Sequence, residues 1–185
     1  MALKATICKA VLQIADMDRN YYHDHALTIA RHPSETDERM MVRVLAFALH
    51  ASDTLEFGKG LSTDDEPDLW EQDLTGSILT WIDVGLPDDK RLRRACGRAN
   101  EVFVYAYGGH GASLWWNHIS DKLERTQNLT VKTLAQASTR ALAALASRNM
   151  QLNCTIQEEQ IWLANEKETV QVGIETVKSP PASAH

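Results

Sequence analysis

Apolar and polar residues alternate with a period of two near both ends of the chain and recur with a period near 3.6 in several stretches between, so strands and helices are both expected. Residues 2–15 alternate as a long strand, with Leu3, Ala5 and Ile7 on one face and Lys4, Thr6 and Cys8 on the other. The run Asp16-Met17-Asp18-Arg19-Asn20 turns the chain into a second strand, about Tyr21 to Ala30. Its D-x-D-x-N spacing is that of a calcium loop, but Tyr21 stands where such a loop needs glycine and Leu27 where it needs glutamate. A polar hairpin turn is the better reading. Ser34 opens a helix that runs to about Ala51, with Glu35 and Asp37 suited to the positive end of its dipole. On that helix Arg39 and Arg43 share one side, while Met41, Leu45, Ala48 and Leu49 lie on the other together with Glu38.

Leu55-Glu56-Phe57 reads as a short strand and Gly58 to Asp65 as a loop without a phosphate-cradling GK[ST]. The next residues allow two readings. Asp68 to Gln72 can form a strand that turns near Thr75-Gly76, in a register that sets Asp68 opposite Asp83 and Trp70 opposite Trp81. Alternatively, Pro67 is the first residue of a short helix capped by Asp65 or Glu66. Ser77 to Val84 is the strongest strand, with Leu79, Trp81 and Asp83 on one face and Ile78, Ile82 and Val84 on the other, so it belongs in the interior of a sheet with Trp81 buried. Asp88 caps a helix to about Asn100 whose core stripe is Leu92, Ala95, Cys96 and Ala99. Arg91, Arg94 and Arg98 line one edge of that stripe, and Lys90 and Arg93 point further out. Val102 to Tyr107 follows as a strand, and strand, helix, strand with short joins implies a parallel pair.

After the turn Gly108 to Gly111, a helix from Leu114 to Leu123 carries Trp115 and Trp116 as core and lid. Leu129 to Leu134 reads as a strand and Gln136 to Ser147 as a helix. The chain then meanders through Met150 to Gln157, a turn at Glu158-Glu159, Gln160 to Ala164 and Thr169 to Val177, before a disordered tail from Ser179 to His185.

Composition narrows the picture. The 185 residues suffice for one core without an internal linker, so residues 1–178 read as one domain. With 44% hydrophobic and 24% charged residues the chain is of soluble globular type, and no apolar run approaches the ~20 residues of a membrane span. Lys4 and Lys9 break up the N-terminal apolar segment, which excludes a signal peptide. Cys8, Cys96 and Cys154 are too scattered for a disulfide framework or a CxxC metal site, which points to the cytoplasm. A net charge of −6 argues against a protein that coats nucleic acid unselectively, so any such site must be local.

The strings RHPSETDERMM, DDEPDLW, TWIDVGLPDDKR and QEEQIWL, with the MALKATI start and the Trp115-Trp116 pair, resemble the YaeQ family of bacterial proteins along nearly the whole chain. The resemblance implies an α+β fold with a mixed sheet flanked by helices, a variant of the PD-(D/E)XK restriction-endonuclease-like core with extra strands. Carried over to this sequence, it places the helix acid on Glu38, the PD aspartate on Asp68 and the second acid on Asp83, with Glu66 as a further ligand candidate. The expected function is then a phosphodiesterase acting on DNA or RNA, in which these acids hold Mg²⁺ or Mn²⁺ in a single cleft. The lysine of the pattern is replaced by Gly85. Its role would pass to Arg91 and Arg94 or to Lys90 on the following helix, and arginine stabilises charge but does not readily act as a base. Two alternatives follow: a non-catalytic nucleic-acid or transcription-associated binding protein on a degenerate nuclease fold, and a role in protein interaction or metabolism.

Overall fold

The computed structural model describes residues 4–59 and 65–182. The long N-terminal hairpin forms as its alternation dictates, with β1 (Thr6–Asp16) antiparallel to β2 (Tyr21–Arg31). Asp16 anchors the turn by accepting from the backbone N–H of Arg19 at 3.0 Å and from its Nε at 2.7 Å. The inward face is the even-numbered one. Cys8, Ala10, Leu12 and Ile14 are buried, whereas Ile7, assigned from the alternation to the face opposite Cys8, is 49% exposed. Leu3, assigned to that face with it, lies outside the described residues.

The first helix, α1 (Asp37–His50), begins three residues later than Ser34, because the Thr36 hydroxyl accepts the Arg39 N–H at 3.1 Å and so takes the cap. Past a short β3 (Leu55–Phe57) comes a hairpin of β4 (Leu69–Gln72) and β5 (Ile78–Val84). Of the two readings of residues 65–72 the strand is correct, and Trp70 faces Trp81 in the expected register. Asp88 caps α2 (Asp89–Arg98), and β6 (Ala99–Ala106) returns parallel to β5. The next helix, α3 (His110–Ile119), starts four residues before Leu114, immediately after Gly109, and runs into a 3-10 turn over Ser120–Leu123. Then come β7 (Leu129–Leu134) and α4 (Gln136–Ala143), with α4 shorter than its pattern suggested. The meander is β8 (Asn149–Gln157), β9 (Gln160–Ala164), β10 (Thr169–Val172) and β11 (Ile174–Lys178).

The expected single mixed sheet is in fact two mixed sheets. One has the order β10-β9-β8-β1-β2 and the other β11-β7-β6-β5-β4-β3. The stretch expected as one strand from Thr169 to Val177 breaks at Gly173, so β10 joins the first sheet and β11 the second. Inward residues of both sheets form one core with α1 and α4, drawn from Leu12, Leu45, Leu142, Ile82 and Leu163 among others. α1 is buried from Met40 to Ala48 because it lies between the sheets, not on an outer surface. A second core, holding Trp81, Leu92, Val104, Ile119 and Val131, packs α2 and the α3 region on the other face of the second sheet. Trp81 is 2% exposed, as an interior strand requires. Part of the loop expected over Gly58 to Asp65, and the last three residues of the expected tail, lie outside the described residues.

Candidate functional site

The β4–β5 hairpin brings Asp68 and Asp83 to the same end of the second sheet, since the register that pairs Leu69 with Ile82 sets Asp68 opposite Asp83. Both carboxylates are buried, at 6% and 1% exposure. A buried carboxylate needs donors or a cation, and each finds an arginine from a different helix. Asp68 accepts from Arg39 of α1 at 2.8 Å through Oδ1 and from the Val84 backbone N–H at 2.8 Å through Oδ2. Asp83 receives a two-pronged contact from Arg91 of α2, with Nε at 2.9 Å and Nη2 at 3.0 Å. Arg91 Nη2 also donates to the carbonyl of Glu66 at 2.8 Å. Burial first, helped by the negative charge of Asp68, holds the Asp83 carboxyl above the ordinary carboxylate range, against the hydrogen bonds and charge of Arg91. Beneath this pair lies Trp81, whose ring carries Arg91 and Arg98 at 5.6 and 5.2 Å. Its buried indole N–H lies near Asp83 without the geometry of a hydrogen bond.

The arginine network continues into the core. Glu35, just before α1, accepts from Arg39 Nη1 at 2.7 Å and from Arg43 Nε at 3.0 Å, with a further short contact to Arg43 Nη2. Arg43 is 2% exposed and also donates to the Ala30 carbonyl at 3.1 Å. The spacing of Arg39 and Arg43 does put them on one side of the helix, but that side is interior. Glu35 and Arg43 were not among the expected site residues. The i, i+4, i+8 spacing of Glu35, Arg39 and Arg43 was the available signal.

The remaining expected residues lie in different settings. Glu38 is half-buried and accepts from the Thr139 hydroxyl of α4 at 2.9 Å. The Glu66 carboxylate accepts from the Lys59 backbone N–H at 3.0 Å. Lys90 and Arg94 are exposed on the outer face of α2 and have no ion-pair partner among the described residues. The expectation that Glu38, Asp83 and Asp68 or Glu66 gather as ligands for Mg²⁺ or Mn²⁺ is not matched by this arrangement. Among the described residues no three His, Cys, Asp or Glu side chains are placed to hold a metal ion; Arg91 takes both oxygens of Asp83, and Arg39 and the Val84 N–H take those of Asp68. As placed, the set does not fit a divalent cation, which needs several free oxygen ligands at about 2.0–2.6 Å.

These features define an α+β protein of two mixed sheets, with paired buried acids and arginines at the β4–β5 hairpin. The chain belongs to the YaeQ family, whose model, described as YaeQ protein, matches residues 1–174. It is 43% identical over 180 residues to the uncharacterized protein YaeQ of Escherichia coli K12, covering 97% of this chain and 99% of that protein. The crystal structure of YaeQ from Xanthomonas axonopodis pv. citri superposes with a TM-score of 0.92 at 48% identity, over 95% of this chain and 99% of the other. That of YaeQ from Pseudomonas syringae gives 0.91 at 34% identity, over 95% and 97%. No helix among the described residues is long and apolar enough to cross a membrane.

Proposed function

We propose that this chain is a non-catalytic nucleic-acid-binding protein built on a PD-(D/E)XK-like scaffold, in which arginines stand where a nuclease would hold metal. The observation that carries this reading is the pairing of Asp68 with Arg39 and of Asp83 with Arg91. Gly85, in place of the lysine of the pattern, supports it from the other side. The scaffold reading rests on the β4–β5 hairpin, with its facing acids, followed by α2 and a parallel β6. For contact with phosphate the exposed cations of α2 are the best candidates. Lys90, Arg94 and Arg98 recur at i, i+4 and i+8, a strip about 12 Å long. The three cysteines are free thiols, which suits the cytoplasm as the place of action.

The test is binding of labelled single- and double-stranded DNA and RNA over a range of salt concentrations. A local phosphate site gives affinity that falls with salt, and the double variant Lys90→Ala/Arg94→Ala flattens the slope of log K against log salt by about 2. Binding that ignores salt, or none at all, removes the reading. Saturable Mg²⁺ or Mn²⁺ uptake in calorimetry, with cleavage lost in Asp83→Ala, would instead favour a metal-dependent phosphodiesterase.

A further inference from the structure

At the C-terminal end of α1 a cavity of about 340 Å³ is lined from both sheets. That is within the size range of small-molecule pockets. Leu49, Ile156, Ile161 and Ile174 supply apolar wall, and Tyr105, Lys132 and Thr176 form a polar row. The row follows from register: Tyr105 pairs with Lys132 across β6 and β7, and Lys132 with Thr176 across β7 and β11. Residues so paired share a sheet face.

The charges lining the cavity do not cancel evenly. Arg19 is spent on Asp16 at 2.7 Å and on the carbonyls of Ala51 and Ala48 at 3.2 and 3.4 Å, where it closes the end of α1. Asp18 accepts from the backbone N–H groups of Glu158 and Glu159, both at 2.8 Å. Glu159 is exposed at the rim. Lys132 is half-buried and has no ion-pair or hydrogen-bond partner among the described residues. An ammonium that lines a cavity without a partner is open to a charge-assisted contact with an oxyanion.

The neighbouring Tyr105 is 2% exposed, with its hydroxyl 2.5 Å from Nε2 of His50. Burial, then the positive charges of Arg19 and Lys132, push the His50 imidazole down to about 3, so it is neutral at physiological pH. A neutral imidazole with the proton on Nε2 donates to the tyrosine oxygen and leaves the Tyr105 O–H free to donate elsewhere.

We propose that this cavity binds a small organic anion, a carboxylate or phosphate monoester with an apolar body, its charged end between Lys132 Nζ and the Tyr105 hydroxyl and its body against Ile156, Ile161 and Ile174. The site is independent of the nucleic-acid reading and shares no residue with it.

The experiment uses the full chain, with hexanoate, benzoate, phenyl phosphate and inorganic phosphate as probes, read by amide chemical shifts and calorimetry. At least one tailed anion binds saturably below about 10 mM, with shifts centred on Tyr105, Lys132 and Thr176. Lys132→Met keeps the aliphatic stem and weakens that binding about tenfold or more, Lys132→Arg retains most of it, and Lys167→Met, an exposed lysine in the turn between β9 and β10, leaves it unchanged. Carboxylate and phosphate probes separate the two headgroups. Absence of saturable binding by every tailed probe overturns the proposal. So does inorganic phosphate binding as tightly as the tailed anions, or a folded Lys132→Met that binds like the wild type. Should Lys132→Met not fold, the wild-type shift map decides: changes at the polar row support the site and changes confined elsewhere overturn it.

Discussion

Replacing Glu35 by alanine should be among the most destabilising single changes in this chain, although glutamate before a helix is ordinarily a solvent-facing residue. The Glu35 side chain is 2% exposed and is the anion for Arg43, which is equally buried, and for Arg39. Removing one partner of a buried pair strands the other charge, at a cost of about 3–5 kcal/mol. With an unfolding entropy near 2.1 cal/mol/K per residue, that corresponds to a fall in melting temperature of roughly 8–13 °C for a chain of this size. Urea denaturation of the wild type, Glu35→Ala, Arg43→Met and the double variant forms the cycle that isolates the pair. Each single variant should lose several kcal/mol, while the double variant should lose clearly less than their sum, because the methionine needs no counter-charge. The reasoning fails if Glu35→Ala costs less than about 1 kcal/mol, the level of an exposed pair, or if the two losses simply add.

Three further outcomes are open to measurement. Gly58→Ala places a Cβ 1.9 Å from the carbonyl oxygen of Pro67, next to Asp68, so urea denaturation should show a loss of about 1–3 kcal/mol; an unchanged midpoint would count against this close approach. Asp83 has its pKa raised above the ordinary 3.8, so its contribution to stability is largest at acid pH and declines as pH rises through the folded value; the stability of the wild type relative to Asp83→Asn should therefore fall from pH 3 to pH 7, and a rise would mean that the Arg91 pair outweighs burial. His50, held down to about 3, stays neutral in the folded chain while its unfolded form takes up a proton below about 6.5, so it favours folding less as pH drops through that window; its imidazole NMR signals should not titrate between pH 5 and 8, and a titration near 6.5 would show the ring to be solvated.

Local chemistry settled much of this fold before any long-range contact is considered. The turn at Asp16 to Asn20 and the Asp88 cap of α2 depend on neighbours a few residues away, and the parallel return of β6 on the short joins of a strand, helix, strand unit; each formed where the pattern called for it. The Trp70–Trp81 register was legible as one of two readings, because nothing local tells a short strand after Pro67 from a helical turn. Contacts distant in sequence decided the rest. Both faces of β1 carry apolar residues, so only the position of α1 and the second sheet could choose Cys8 and Leu12 over Ile7 for the interior. The break at Gly173 depends on which sheet edge lies on either side of it, β9 or β7. At the site, sequence located Asp68 and Asp83 together and put Arg91 beside them, but it did not give Arg39 as the partner of Asp68. A carboxylate spacing suits a metal or an arginine equally well, and helix packing supplied the arginines: α1 brought Arg39 to Asp68, and α2 brought Arg91 to Asp83. The same packing gave Glu38 the hydroxyl of Thr139 on α4, which only the tertiary fold brings near.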